Sequence, residues 1–139
     1  MIRTILFCAG AALLTAAAPA AAEDWRLVNR SERGLDYLDA GRVTRRGEQV
    51  RFWHQIRYGE PQIDNGPAYN LMTVNIRASC RARTYRVVEM IASLDGANED
   101  RFRPPADDLT APEGSLMADF ITMACSGQYP QPPEAAPTT

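Results

Sequence analysis

The side chains able to do chemistry fall into a few groups: three cysteines, one histidine, two runs of acids, and a stretch in which arginine alternates with aromatic residues. The cysteines are Cys8, Cys80 and Cys125, and the only histidine is His54. No CxxC pair occurs, so neither a metal centre nor a thiol–imidazole pair has its set of partners. Two cysteines in an oxidising compartment normally join, and Cys80 and Cys125 are therefore read as a disulfide. His54 stands in a row with Val50, Phe52, Ile56 and Tyr58, the setting of a core residue rather than a base. No serine near it has the surroundings of a nucleophile elbow.

The acids also read plainly. Asp95-Gly96-Ala97-Asn98-Glu99-Asp100 has oxygen ligands in number but lacks the spacing and terminal glutamate of a calcium loop, so a solvated turn is expected. Asp107 and Asp108 precede a helical segment and suit its positive end; adjacent carboxylates make poor acid–base pairs, which need different environments. Catalytic residues, a metal site and a cofactor are thus not expected, and the chain is not read as an enzyme.

Arginine and tryptophan carry the remaining signal. Arg51, Trp53 and Arg57 point away from the apolar row of their strand, and Arg77 points away from the Cys80 face of the next. Guanidinium forks and indoles interleaved in this way can hold phosphates, sulfated glycans or carboxylate-rich protein surfaces. The four residues form the candidate partner-binding face; the plainer alternative is a solvated face with Arg in place of Lys. Acids outnumber bases, 17 to 15, and no Lys occurs, which points to a GC-rich bacterial genome and away from nucleic acid.

These residues need elements to position them. Trp25 to Asn29 and Leu35 to Asp39 read as short strands, with a third short strand at Arg42 to Arg45. Gln49 to Tyr58 and Asn70 to Cys80 alternate strictly, and Thr84 to Leu94 returns with Val88, Met90, Ala92 and Leu94 aligned. A polar loop follows Asp95-Gly96 as far as Pro104-Pro105. The period then changes to 3.6: Leu116, Met117, Phe120, Ile121 and Ala124 share one helix face, with Thr110 as the expected N-cap and Gly127 closing the end. The expected fold is α+β, an antiparallel meander of about six strands with a C-terminal helix on one face, tethered by the disulfide.

The ends complete the organisation. Residues 1–22 read as a cleaved secretory signal: Arg3, an apolar run from Thr4 to Ala18, and a small-residue site that places cleavage between Ala22 and Glu23. The apolar run is short for a membrane span, so no integral span is expected after cleavage. Phe7 before Cys8 does not suit a lipid-attachment motif. Residues 23–127 form the expected domain, and residues 128–139 an expected Pro- and Ala-rich disordered tail.

The order of several motifs resembles the surface-adhesin protein E family of Gram-negative bacteria. Trp25, Tyr37-Leu38-Asp39, Arg45, Gly47 and Val50-Arg51-Phe52-Trp53 are similar to its N-terminal part. Cys80, Tyr85-Arg86, Pro112, Ser115 and Cys125 are similar to its cysteine-bearing hairpin and final helix, although Ser79 stands where an Asp is expected. The likeness spans about residues 25–126. It implies a sheet with a disulfide-fastened helix and a non-enzymatic role, adhesion to host extracellular-matrix or serum proteins. It carries over no ligand-binding residue. The resulting expectation is an exported envelope binding module, in the periplasm or at the cell surface, for a protein or glycan partner; a periplasmic assembly factor or a hydrolase inhibitor are the alternatives.

Overall fold

The computed structural model describes residues 21–132. The expected signal segment up to residue 20, with Cys8, and residues 133–139 of the expected tail lie outside the described residues. The chain runs β1 (Trp25–Ser31), β2 (Gly34–Asp39), a 3-10 turn (Ala40–Arg42), β3 (Thr44–Arg46), β4 (Gln49–Gln62) and β5 (Tyr69–Ser79). It continues through β6 (Thr84–Leu94), β7 (Ala97–Phe102), β8 (Leu109–Thr110) and α1 (Leu116–Ser126). One antiparallel sheet takes the order β1-β2-β4-β5-β6-β7, with β3 added to β4 and β8 added to β6. The sheet has eight strands rather than about six.

Two of the departures have clear causes. The segment after Asp95-Gly96 is not a loop: β7 pairs with β6, Ile91 opposite Arg101 and Ala92 opposite Asp100. All six β7 residues are exposed, so no apolar alternation marks it, and backbone pairing with β6 holds it. Thr110 is a strand residue opposite Thr84, not the helix cap. The cap is Ser115, whose Oγ accepts a hydrogen bond from the Ala118 amide at 3.2 Å. Gly127 closes the helix at φ 72°, and its amide donates to Met123 O at 2.9 Å.

Alternation in the central strands puts one face under the helix. Val50, Phe52 and His54 of β4 lie opposite Ala78, Ile76 and Val74 of β5, and all six are buried. The apolar stripe of α1 meets this layer, with Phe120 6.4 Å from Phe52 and 4.9 Å from His54 between ring centroids. Leu38, Phe52, Ile76, Phe120 and Ile121 are each at most 1% exposed, worth roughly 1.5–3 kcal/mol apiece relative to exposure. Cys80, just past β5, is bonded to Cys125 in the last turn of α1, with Cα atoms 5.9 Å apart. The staple therefore fixes the far end of the helix to the sheet. Beyond Gly127 the packed chain runs further than the expected limit of the domain: Tyr129 packs against the core, and Pro130 O accepts from Arg26 Nη1 at 2.7 Å.

Close approach of β2 to β4 depends on Gly34. Its φ is 148°, and a Cβ there would lie 2.0 Å from the Arg57 carbonyl oxygen. Turn and ladder can both form only because that atom is missing.

Candidate functional site

Helix α1 covers one side of the sheet; no other described helix covers the opposite side. Cross-strand register assigns the residues of this open face. At one level Thr44, Arg51, Arg77 and Arg86 stand side by side on β3, β4, β5 and β6. Trp53 faces Asn75, which in turn faces Glu89. Beyond these come Tyr37, Gln55, Thr73, Ile91 and Arg101, and then Leu35, Arg57, Leu71 and Ser93. The open face is thus graded, with arginines at one end and a mixed polar and aromatic layer at the other, in which Asn75, Gln55 and Ser93 are themselves buried beneath their neighbours.

The four candidate residues share this face but are not one cluster. Arg51 and Arg77 are directly paired, and Arg51 Nε donates to Asn75 Oδ1 at 2.7 Å. Arg57 lies three levels away, donates to Gln55 Oε1 at 2.8 Å, and stacks over the Tyr37 ring at 4.5 Å. Trp53 is half-buried and is capped by Arg42, whose guanidinium carbon is 5.3 Å from the Trp53 ring and 5.5 Å from the Trp25 ring. The buried Asp39 carboxylate and, at 3.1 Å, Glu23 hold Arg42 between the two indoles. Asp39 also accepts from the Asp24 and Gly41 amides at 2.8 and 3.0 Å, so the 3-10 turn is anchored around one buried charge.

A concavity of about 340 Å³ opens beside this stack, with Trp53, Gln55, Thr73, Glu89, Ser93 and Arg101 among its lining residues. Amide, hydroxyl and carboxylate groups next to an indole can hydrogen-bond and stack a polar ligand. A second concavity of about 620 Å³ lies over Arg46, Gln49, Arg51 and Arg77.

Three contributors escape the sequence reading. Arg42 and Trp25 lie outside the central strands, and no periodicity ties them to Trp53. Arg86 is hidden by a β-bulge: the partner of Asn75 is Glu89, but that of Ile76 is Val87. The extra residue reverses the alternation. Val88 therefore leaves the row of Met90 and Ala92, Val87 packs on the core in its place, and Arg86 turns to the open face.

His54 stays on the helix side. It is 7% exposed, stacks on Phe120 at 4.9 Å, and among the described residues its Nδ1 has no hydrogen-bond partner. Burial, aided by the positive charge of Arg33, lowers its pKa to about 4, so the ring is neutral at pH 7. The burial agrees with a core residue rather than a base, and among the described residues nothing pairs with Nδ1. Asp108 pairs with Arg86 at 2.9 Å, and Asp95 exchanges hydrogen bonds with Asn70 at 2.7 and 2.8 Å, tying the β6–β7 turn to the start of β5. Among the described residues no cluster of three or more His, Cys, Asp or Glu is placed to hold a metal ion.

Comparison with known proteins places this architecture. The crystal form II structure of Haemophilus influenzae protein E superposes with a TM-score of 0.55 at 14% identity, over 80% of this chain and 97% of that one. At that identity the likeness is one of fold. No curated protein matches the chain in sequence. The family model for surface-adhesin protein E matches residues 25–126, the span from the first residue of β1 to the last of α1. With both cysteines of the disulfide and every described strand inside that match, the chain belongs to the surface-adhesin protein E family.

Proposed function

We propose that the protein is an exported, non-catalytic binding module of the Gram-negative envelope, adhesin-like in role, that takes a protein or glycan partner on the open face of its sheet. Residues 1–22 supply the export signal in this reading, and the working location is the periplasm or the cell surface. Membership of the adhesin family supports the role. The observation that carries the choice of surface is the asymmetry of the sheet. One side is filled by α1 and the core, while the other presents Arg51, Trp53, Arg57 and Arg77 with two concavities among them.

Retention of the mature domain on extracellular-matrix coatings and on isolated envelope fractions tests this reading. Saturable retention is expected, with loss on Thr73→Arg, which fills the centre of the open face, and no loss on Asp119→Arg, on the exposed side of α1. Retention abolished equally by both substitutions, or no saturable retention on any surface, refutes it.

A further inference from the structure

Among the described residues five arginines pair with carboxylates: Arg26, Arg33, Arg42, Arg86 and Arg101. Arg26 pairs with Asp24, Arg42 with Asp39 and Glu23, and Arg101 with Glu89 and Glu99. The end of the open face near β3 is different. Arg51, Arg77 and Arg86 stand directly opposite one another on three adjacent strands, and Arg46 is placed opposite Gln49 next to them. Neighbouring strands lie about 4.8 Å apart, so the row spans roughly 10 Å. Like charges directly opposite one another destabilise a sheet. Yet among the described residues no carboxylate pairs with Arg46, Arg51 or Arg77; only Arg86 has one, Asp108. The 620 Å³ concavity above Arg46, Arg51 and Arg77 has no acidic residue in its lining. A row of guanidinium groups held in repulsive register over an open concavity fits an anion supplied from outside.

The geometry of the row selects the anion. A single guanidinium fork fills both oxygens of a carboxylate. A group bridging two guanidiniums on neighbouring strands is better served by three terminal oxygens, as in a sulfate ester or a phosphate monoester, and a row of arginines calls for such groups repeated along one chain, as in a sulfated polysaccharide. A phosphodiester has only two free oxygens, which disfavours nucleic acid. The positions flanking the row are Thr44, Gln49, Ser79 and Thr84, with hydroxyl and amide groups suited to sugar hydroxyls; none is an apolar anchor of the kind that inserts into lipid. We infer that the Arg46–Arg51–Arg77 end of the open face binds a linear sulfated polysaccharide, laid across the strands so that successive sulfates meet successive arginines, with Arg86 held by Asp108 at the margin of the row. The inference rests on the open-face reading above and gives it a ligand class.

Titration calorimetry of the mature protein with a heparin oligosaccharide tests it, with polygalacturonate and anionic phosphatidylglycerol vesicles as parallel arms. Saturable binding to heparin is expected, weakening by about tenfold or more between 50 and 200 mM salt because counterions are released on binding. Arg77→Gln and the Arg51→Gln/Arg77→Gln pair should each weaken it at least about tenfold, whereas Arg103→Gln, outside the row, should leave it unchanged. The melting temperature of the variants is the check on folding, and relief of repulsion predicts no fall for Arg77→Gln. Equal affinity for polygalacturonate, binding to vesicles but not heparin, or unchanged heparin affinity in folded Arg77→Gln overturns the inference. Matrix retention by a protein that does not bind heparin overturns it while leaving the adhesin reading intact; absence of both overturns both.

Discussion

Protonating His54 should loosen the attachment of the helix to the sheet. The ring lies between β4 and Phe120 with no acceptor at Nδ1 among the described residues, and burial and Arg33 together lower its pKa to about 4 from 6.5. Below pH 6.5 the unfolded chain takes up a proton that the folded chain refuses until about pH 4. Stability from the neutral imidazole is therefore fully present above pH 6.5 and is lost as the pH falls through that window. At about 1.4 kcal/mol per pH unit, the loss is about 1 kcal/mol at pH 5.5 and about 3 kcal/mol at pH 4. Other carboxylates also titrate there, so the assay is a difference: urea unfolding of the wild type and of His54→Leu, disulfide intact, at pH 7, 5.5 and 4. Leucine keeps an apolar side chain against Phe120 and cannot take up the proton. The stability of the variant relative to the wild type should rise by about 3 kcal/mol between pH 7 and pH 4. A relative stability that does not change with pH would refute the argument that the ring is buried and uncharged.

Three further perturbations follow from other parts of the fold. Cys80→Ser opens a crosslink between residues 45 apart in sequence and should cost about 4 kcal/mol of unfolding free energy, measured by denaturant titration; an unchanged midpoint would show that the helix needs no staple. Asp39→Ala leaves the Asp24 and Gly41 amides and the Arg42 guanidinium without their shared acceptor. A loss of about 3 kcal/mol is expected, with a change in tryptophan fluorescence as Arg42 leaves Trp25 and Trp53; unaltered emission would mean that Asp39 does not hold the stack. Gly34→Ala places a methyl group against the Arg57 carbonyl, 2.0 Å away, and should lower stability by more than about 2 kcal/mol; a melting temperature equal to wild type would refute that close approach.

Sequence alone determined the parts of this protein governed by local periodicity or by parity. Alternation in β4 and β5 sorted Phe52, His54 and Ile76 from Arg51, Trp53 and Arg77, because successive strand residues must face opposite ways. The 3.6-residue stripe marked α1, and the cysteine count pointed to the Cys80–Cys125 pairing, which is present. Tertiary structure decided what depends on neighbours far along the chain. Strand β7 has no apolar face of its own and exists because β6 offers it an edge. The bulge in β6 turns Arg86 into line with Arg77 and Arg51, and no local pattern announces it. Arg42 joins Trp25 to Trp53 because Asp39, buried beneath the 3-10 turn, and Glu23 hold its guanidinium there. The cap at Ser115 rather than Thr110 has the same origin: β8 takes Thr110 for a backbone pair with Thr84 before the helix begins. Local sequence settles which way a side chain points. Which charges meet on the open face is settled by register between strands, a long-range property that appears only when the sheet closes.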